Sequence, residues 1–289
     1  MICNLCPRRC GALRTETVGK GWCRQPLSPV VARAGLHFWE EPTISGTCGS
    51  GTVFFTGCVL GCIFCQNGSI SHENFGKAIS IARLREIFQE LIAQGAHNIN
   101  LVSPTPYVLA IREALEEPLP VPVVWNTGGY ERVETLKTLE GKVQVWLPDL
   151  KYADNDLAAR YSGAADYFET ATAAILEMYR QVGDYVIEDG LLKRGVVIRH
   201  LLLPGSLNNT KAVMDWVAQT FRPGQVLFSL MAQYTPQPGA EGLLARRVTK
   251  MEYRAAMAYM ENLGIVDGYC QDGDSARAEY TPTFDLTGV

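Results

Sequence analysis

Three cysteines with the spacing C-x3-C-x2-C constrain this chain more than any other feature. Cys58, Cys62 and Cys65 stand in the run GCVLGCIFCQN, so three thiols belong to one short loop. Thiolates are preferred ligands of iron–sulfur clusters, and four cysteines usually bind one cluster. Three cysteines therefore predict a [4Fe–4S] cluster whose fourth iron is open to a small chelating ligand. A zinc site that borrows a fourth ligand, or buried thiols without a metal, are the alternatives.

A second group of cysteines lies near the N-terminus with the spacing C-x2-C-x3-C-x12-C. Its members are Cys3, Cys6, Cys10 and Cys23. Four thiolates at such spacings suit either a tetrahedral zinc ion or a complete [4Fe–4S] cluster, and the spacing does not separate the two. Free thiols are a third interpretation. The remaining cysteines, Cys48 and Cys270, match no motif, and we expect them to be ordinary buried thiols.

Composition narrows the class of protein. The 289 residues are 47% hydrophobic, which supports a sizeable core, and barrels of this length often form one domain. A formal net charge of −4 gives no case for non-specific binding to nucleic acid. No apolar run reaches the length of a membrane span, and the first residues lack the apolar centre of a signal peptide. Nine cysteines, an odd number, argue against a secreted disulfide scaffold, so we expect a cytoplasmic protein without a membrane partner.

Strand-like and helix-like stretches alternate along most of the chain. We predict strands at 51–56, 98–103, 121–126, 143–149, 196–203 and 225–231, and helices at 81–94, 107–117, 131–139, 166–182, 209–220 and 249–263. Six strand–helix units predict an α/β protein with a parallel sheet, curved into a partial (β/α)6 barrel that is open on one side. Residues 1–50 lie outside this alternation. We predict that they form a cysteine-rich, metal-binding N-terminal extension on a barrel of residues 51–289.

The residues around the three-cysteine loop resemble a known family. An aromatic residue, Phe64, directly precedes the last cysteine, and the chain resembles the radical S-adenosylmethionine (SAM) superfamily, whose loop reads C-x3-C-x-aromatic-C. More closely, it resembles the uncharacterised relatives of the pyruvate formate-lyase activating enzyme. The similar stretches run in order along nearly the whole chain: CNLCPRRCG (3–11), EPTISG (41–46), GSGTVFFTGCVLGCIFCQN (49–67), NINLVSPTPY (98–107), WNTGGYE (125–131), LPDLKY (147–152), VIRHLLLPG (197–205) and SLMAQYTP (229–236).

This resemblance implies a reaction and its cofactors. The amino and carboxylate groups of SAM would chelate the fourth iron, and one electron from the reduced cluster would break the sulfur–C5′ bond. The 5′-deoxyadenosyl radical would then take hydrogen from a substrate, such as a glycyl residue of a partner enzyme, as activases do. Another protein, a peptide or a small molecule is an alternative substrate, and an iron–sulfur electron carrier is the non-enzymatic alternative. The implied electron donor is a flavodoxin or a ferredoxin.

Charged residues near strand ends are the predicted catalytic groups. Asp149 and Lys151 in LPDLKY lie on one face of an extended segment and resemble the DLK element of activases, which lines the SAM site. A structural ion pair is the alternative. Arg199 interrupts an apolar run and needs an anion, which the resemblance supplies as the SAM carboxylate or an acidic side chain. His200 faces the other way, and we expect it to be a packed structural histidine.

Further SAM contacts are expected where other strands end. Many relatives have Gly-Gly-Glu after the second strand, whereas this chain has Ser103-Pro104-Thr105, so an oxygen of Ser103 or Thr105 is expected to accept from the SAM amino group. Asn126 is expected to bond a ribose hydroxyl or the carboxylate of SAM. An ordinary turn after the second strand, and a helix cap for Asn126, are the alternatives. Tyr234 is a candidate for the substrate side. The remaining residues, which the resemblance places near SAM and which are otherwise ordinary core or surface residues, are Phe64, Gln66, Asn67, Met231 and Gln233.

Overall fold

The computed structural model describes residues 1–271 and 282–289, and these form a mixed α/β fold. The strands are β1 (Val30–His37), β2 (Ser50–Phe55), β3 (Lys77–Ala78), β4 (Ile99–Val102), β5 (Val123–Thr127), β6 (Val145–Pro148), β7 (Val186–Glu188), β8 (Leu191–Leu201), β9 (Leu227–Met231) and β10 (Gly268–Cys270). The helices are α1 (Pro42–Ser45), α2 (Gly68–Ser71), α3 (Ile81–Ala93), α4 (Val108–Ala114), α5 (Val133–Lys137), α6 (Asn155–Ser162), α7 (Tyr167–Val182), α8 (Leu207–Thr220) and α9 (Lys250–Asn262).

A single sheet runs through the molecule in the order β10-β9-β8-β6-β5-β4-β2-β1-β3, with β7 paired beside β8. The pairs from β2 through β10 along this order are all parallel, and every connection between them contains at least one helix. Parallel strands joined in this way are covered on both faces. The predicted α/β class with a partial barrel is therefore confirmed, and all six predicted strands are present.

Burial explains why these segments become strands. All residues of β2, β4, β5 and β6 are buried, as expected for strands with helices on one face and a packed interior on the other. Helix α3 is capped by Ser80, whose side chain accepts a hydrogen bond from the Arg83 backbone amide. One core cluster contains residues of the central strands and of the buried faces of α3, α7 and α8.

The N-terminal region is less separate from the barrel than the alternation predicted. Strand β1 pairs antiparallel with β2 over most of its length, so part of residues 1–50 extends the barrel sheet. The residues before β1 form only short bridges, between Ile2 and Leu13 and between Arg14 and Gly19. The division of the chain at residue 50 stays a prediction, but the sheet crosses it.

Three expectations about single side chains were wrong. Cys48 and Cys270 are exposed rather than buried. Tyr234 is packed in the core: the residue is 1% exposed, and its hydroxyl donates to the Leu244 carbonyl oxygen at 2.7 Å. His200, in contrast, is packed as expected, because its two ring nitrogens bond the Leu150 carbonyl oxygen and the Thr210 hydroxyl. In the described parts of the chain, no helix is long and apolar enough to cross a membrane.

Candidate active site

The three-cysteine loop follows β2 at the carboxyl edge of the parallel strands. Gly57 opens it with a φ of +81°, and a Cβ atom there would lie 2.4 Å from the Gln25 side chain, so only glycine fits. Each sulfur is close to a donor: the Leu60 amide points at Cys58 (3.3 Å), the Ser162 hydroxyl at Cys62 (3.0 Å) and the Ser71 hydroxyl at Cys65 (3.3 Å). Hydrogen bonds of this kind stabilise thiolates that bind iron.

Burial keeps two of these thiols protonated when no metal is bound. Desolvation raises the pKa of Cys62 to about 12 and raises that of Cys58 as well. A positive metal centre reverses this preference, because it binds the thiolate form. Metal binding at this loop is therefore coupled to the loss of protons that the folded protein alone would retain.

The three cysteines line a cavity of about 240 Å³ together with charged and polar side chains from other strand ends. Such a cavity, with a few convergent polar groups in an apolar wall, is typical of a small-molecule site. Its polar and sulfur-bearing members are His37, Glu40, Cys58, Cys62, Cys65, Gln66, Asn67, Ser103, Asn126, Thr127, Asp149, Lys151, Arg199, Met231 and Gln233.

Asp149 is the centre of an ionic network in this cavity. Its carboxylate accepts from Lys151 Nζ at 2.5 Å and from Arg199 Nε at 2.9 Å. Arg199 also donates to Glu40 at 3.1 Å and to the Asn126 side-chain oxygen at 2.6 Å. The backbone fixes the relative position of Asp149 and Arg199, since these two residues form a parallel β-bridge. Two cations and two carboxylates are thus fixed beside the cysteines.

The network keeps its members charged despite their burial. Desolvation would raise the pKa of Asp149, but the positive charges of Arg199 and Lys151 outweigh it, and the pKa is lowered. Desolvation likewise opposes the charge of Lys151, yet the Asp149 carboxylate outweighs it, and the pKa of Lys151 is raised. The site therefore presents fixed charges of both signs over the ordinary pH range, which suits a zwitterionic ligand.

Most residues predicted from the sequence come together here. Asp149, Lys151 and Arg199 lie in the cavity, and the other predicted residues that line it are Phe64, Gln66, Asn67, Ser103, Asn126, Met231 and Gln233. Phe64 is also a core aromatic, packed edge-on against three tyrosines. Ser103 adopts a left-handed conformation (φ +56°) that glycine would adopt more easily.

Thr105 is the predicted contact that the structure places elsewhere. It is buried, and its hydroxyl donates to Glu131 at 2.5 Å rather than lining this cavity. The same carboxylate oxygen accepts from Thr127, at 2.5 Å. The hydroxyl of Thr105 therefore already has a hydrogen-bond partner within the protein. That partner is the carboxylate of Glu131, next to the Ser-Pro-Thr turn.

Sequence reasoning missed three polar residues of the cavity, and one of them, His37, is the last residue of β1. Glu40 follows β1, outside the strand–helix alternation, so the rule that active groups follow parallel strands did not reach it. Its only sequence signal is a pair of acidic residues before Pro42 in a stretch otherwise rich in apolar residues. Thr127 directly follows Asn126 at a strand end and was detectable by the same rule that found its neighbour.

The four N-terminal cysteines also converge. Cys3, Cys6, Cys10 and Cys23 line one small cavity between the N-terminal segment and the barrel, next to Val59, Thr105 and Pro106. This cavity is separate from the one beside Cys62, and Val59 of the three-cysteine loop borders it.

Comparison with known proteins decides the family. The family model of the radical SAM superfamily matches residues 52–217, which include the three-cysteine loop and the strands from β2 to β8. This chain belongs to the radical SAM superfamily. Over 275 residues it is 31% identical to an uncharacterized protein of Methanocaldococcus jannaschii, covering 91% of this chain and 75% of that protein.

Solved radical SAM structures share the fold at low sequence identity. Streptococcus suis SuiB bound to the precursor peptide SuiA superposes on 75% of this chain and 47% of its own, with a TM-score of 0.54 and 12% identity. HydG, a maturase of the [FeFe]-hydrogenase, superposes on 75% of this chain and 50% of its own, with a TM-score of 0.52 and 15% identity. The chain spans about half the length of these solved structures.

Membership in the radical SAM superfamily implies a [4Fe–4S] cluster and SAM, and the residues present fit both. Three thiols from one loop face a cavity, each with a hydrogen-bond donor nearby. Beside them lie cations and carboxylates that match the carboxylate and the amino group of a methionine moiety. The apolar and sulfur-bearing side chains of Phe64 and Met231 border the same space.

Proposed function

We propose that this chain is a radical SAM enzyme that binds SAM beside Cys58, Cys62 and Cys65 and cleaves it reductively. The observation that carries the proposal is the single cavity that joins three cysteines of the family motif to the Asp149–Lys151–Arg199 network. An electron carrier has no use for a cavity with fixed charges beside its cluster. When bound, the reduced cluster and SAM supply methionine and a 5′-deoxyadenosyl radical by one-electron cleavage.

The residues of the cavity would bind and orient SAM. Arg199 and Lys151 offer cationic donors for the carboxylate of SAM, and Asp149 holds both of them in place. Glu40 and Asn126 offer oxygens for polar groups of the ligand, next to the guanidinium. The side chains of Phe64 and Met231 supply an apolar surface for adenine. Residues of the cavity thereby exclude water from the reacting bond.

For the substrate, we propose a peptide or a segment of a partner protein, with a glycyl residue as the hydrogen donor in an activase-like reaction. Two observations support this class. SuiB, which shares the fold, is described bound to a precursor peptide. At the edge of the cavity, Trp39 is 57% exposed, and large exposed aromatic residues commonly mark binding surfaces for chains.

Product analysis tests this function. The anaerobically reconstituted protein, reduced by dithionite, is incubated with SAM, and 5′-deoxyadenosine and methionine are quantified by chromatography. We expect equal amounts of the two, above a control without reductant. Release of neither product from a fully loaded and reduced cluster would instead support an electron carrier. A glycine-containing peptide deuterated at Cα tests the substrate class, since hydrogen abstraction transfers deuterium to 5′-deoxyadenosine.

A further inference from the structure

Cys62 lies next to a buried pair of hydroxyl groups. The Ser162 hydroxyl donates to the Cys62 sulfur at 3.0 Å, and the Tyr152 hydroxyl lies 2.7 Å from the Ser162 oxygen. A serine hydroxyl has one proton, so while Ser162 donates to sulfur, Tyr152 must be the donor to Ser162. Cys62, Ser162 and Tyr152 are at most 6% exposed. The hydrogen bond to this sulfur is therefore shielded from water and strengthened by the tyrosine.

The other two sulfurs of the three-cysteine loop have weaker donors. Cys65 is 3.3 Å from the Ser71 hydroxyl, and both of these residues are partly exposed. Cys58 is 3.3 Å from the backbone amide of Leu60. Of the three hydrogen bonds, the one to Cys62 is the shortest, and both of its partners are buried. We therefore expect the donor at Cys62 to affect the bound group most.

The position of Ser162 follows from how α6 ends. Ser162 is the last residue of α6, and Gly163 ends the helix in a left-handed conformation with a φ of +58°. The Ile63 amide of the three-cysteine loop donates to the Tyr161 carbonyl oxygen at 2.9 Å. These two residues are the direct neighbours of Cys62 and Ser162 in the sequence. A backbone hydrogen bond thus brings the sulfur and the hydroxyl together.

Arg8 holds the same two segments together. Its guanidinium donates to four carbonyl oxygens, two of the three-cysteine loop and two at the end of α6. These acceptors are Val59 (2.8 Å), Leu60 (2.9 Å), Ser162 (2.7 Å) and Gly163. A guanidinium presents its donors in a rigid plane, so it fixes its acceptors relative to one another. Arg8 therefore sets the distance between the end of α6 and the loop.

Trp22 packs over the same contact. Its ring centroid is 3.8 Å from Cζ of Arg8. A Cβ atom at Gly61, in the loop, would lie 3.6 Å from the indole nitrogen, and one at Gly163 would lie 3.4 Å from the indole ring. The indole thus lies against the backbone of both segments. Through Arg8 and Trp22, the N-terminal segment holds the Ser162 hydroxyl in place.

We propose that the Ser162 hydroxyl, with Tyr152 as its donor, raises the reduction potential of the cluster held by the three-cysteine loop. Since the proposed function supplies that cluster, this role of Ser162 depends on it. A hydrogen bond to a ligand sulfur withdraws electron density, which stabilises the reduced, more negative state of a cluster more than the oxidised state. One electron from a carrier of the flavodoxin or ferredoxin class takes the cluster from 2+ to 1+, and the proton stays on Ser162.

A redox titration of the anaerobically reconstituted protein tests the effect of Ser162. Dithionite is added stepwise with redox mediators, and absorbance and the spin-resonance signal report the reduced fraction. In Ser162→Ala we expect reduction to be about tenfold less favourable, which is a midpoint potential about 60 mV more negative. Ser162→Thr, which keeps a hydroxyl, should retain the wild-type midpoint potential. A wild-type midpoint potential in Ser162→Ala with full iron content would overturn the proposal.

Tyr152→Phe tests the hydroxyl pair while the donor to sulfur remains. The ring is kept and the hydroxyl next to Ser162 is lost, so we expect reduction to become about twofold less favourable. Ser206→Ala removes a buried serine hydroxyl before α8, outside the cavity, and should leave the midpoint potential unchanged. If Ser162→Ala does not bind a full cluster, Tyr152→Phe decides, and a midpoint potential at or above that of the wild type contradicts the proposal.

Arg8→Lys tests whether the N-terminal segment positions Ser162. It keeps the charge and loses the planar donors, so we expect a midpoint potential between those of the wild type and Ser162→Ala. The exposed Arg254→Lys is the matched control and should not shift the midpoint potential. An unshifted Arg8→Lys would refute the positioning role of Arg8. Failure of the wild type to cleave SAM with dithionite would refute the proposed function, whereas an unshifted Ser162→Ala refutes only the role of Ser162.

Discussion

The two cysteine sites use the same ligand but have different surroundings. The barrel site opens into a cavity with fixed charges of both signs. The N-terminal site is enclosed by mainly apolar residues and one buried cation, namely Leu5, Arg14, Trp22, Val59 and Pro106. Charged groups in a cavity can select and orient a polar ligand, whereas an apolar lining cannot. The neighbours of the cysteines, more than their number, thus distinguish a cavity suited to a polar ligand from one that is not.

The largest contrast is expected from removing one barrel cysteine. Cys62→Ala should abolish SAM cleavage, because the cluster loses one of three ligands. The measurements are 5′-deoxyadenosine release and iron content per chain. Cys48→Ala, which removes an exposed thiol outside both sites, is the matched control. SAM cleavage at the wild-type rate in Cys62→Ala would rule out this ligand assignment.

The ionic network should have the next largest effect. Asp149→Asn leaves Arg199 and Lys151 buried without their shared carboxylate, and we expect kcat/KM for SAM to fall about 100-fold and the free energy of unfolding to fall by about 3 kcal/mol. Steady-state kinetics measures kcat/KM, and chemical denaturation measures the free energy of unfolding. The surface variant Asp156→Asn is the control. Wild-type kinetics in Asp149→Asn would show that the network is only structural.

The N-terminal site should affect stability more than chemistry. Cys6→Ala removes one of four ligands, and we expect a lower midpoint of thermal unfolding and less soluble protein, since metal binding and local folding are coupled. SAM cleavage driven by dithionite should remain measurable. A variant with the midpoint and the flavodoxin-driven activity of the wild type would show that this site is dispensable.

The smallest effect is expected from Glu131, whose carboxylate accepts hydrogen bonds from the hydroxyls of Thr105 and Thr127. Burial raises its pKa from 4.5 to about 6, so the folded protein holds this proton more tightly than the unfolded chain. The free energy of unfolding should therefore fall by about 2 kcal/mol as pH rises through this interval. Glu131→Gln should lack this component. Denaturation at about pH 4 and pH 8 measures it, because pH 4 lies below both pKa values, and identical pH dependence in both proteins would contradict the assignment.

The sequence predicted the strands well because burial on both faces leaves continuous apolar runs. It did not predict α6, whose eight residues NDLAARYS contain mostly polar and small side chains, nor β1, which lies in a region dominated by cysteine spacing. Both elements are defined by what they pack against rather than by a local pattern. Helix and strand ends shifted by a few residues for the same reason.

The candidate site was predictable where the barrel geometry brings strand ends together. Asp149 follows from that rule and Arg199 from its position inside an apolar strand, and the structure places their side chains 2.9 Å apart. Glu40 reaches the cavity from outside the parallel strands, and Thr105 turns inward to Glu131, so neither position follows from strand order. Contacts that depend on tertiary packing of a loop leave no signal in the spacing of residues.

Arg14 holds the N-terminal segment against the barrel. Its guanidinium is 2% exposed and donates to the carbonyl oxygens of Gln25, Pro26 and Pro106 and toward the Cys3 sulfur. These acceptors satisfy the buried cation and join the segment before β1 to Pro106 of the barrel. A chain without this guanidinium would have a loose N-terminal end, which proteases remove first.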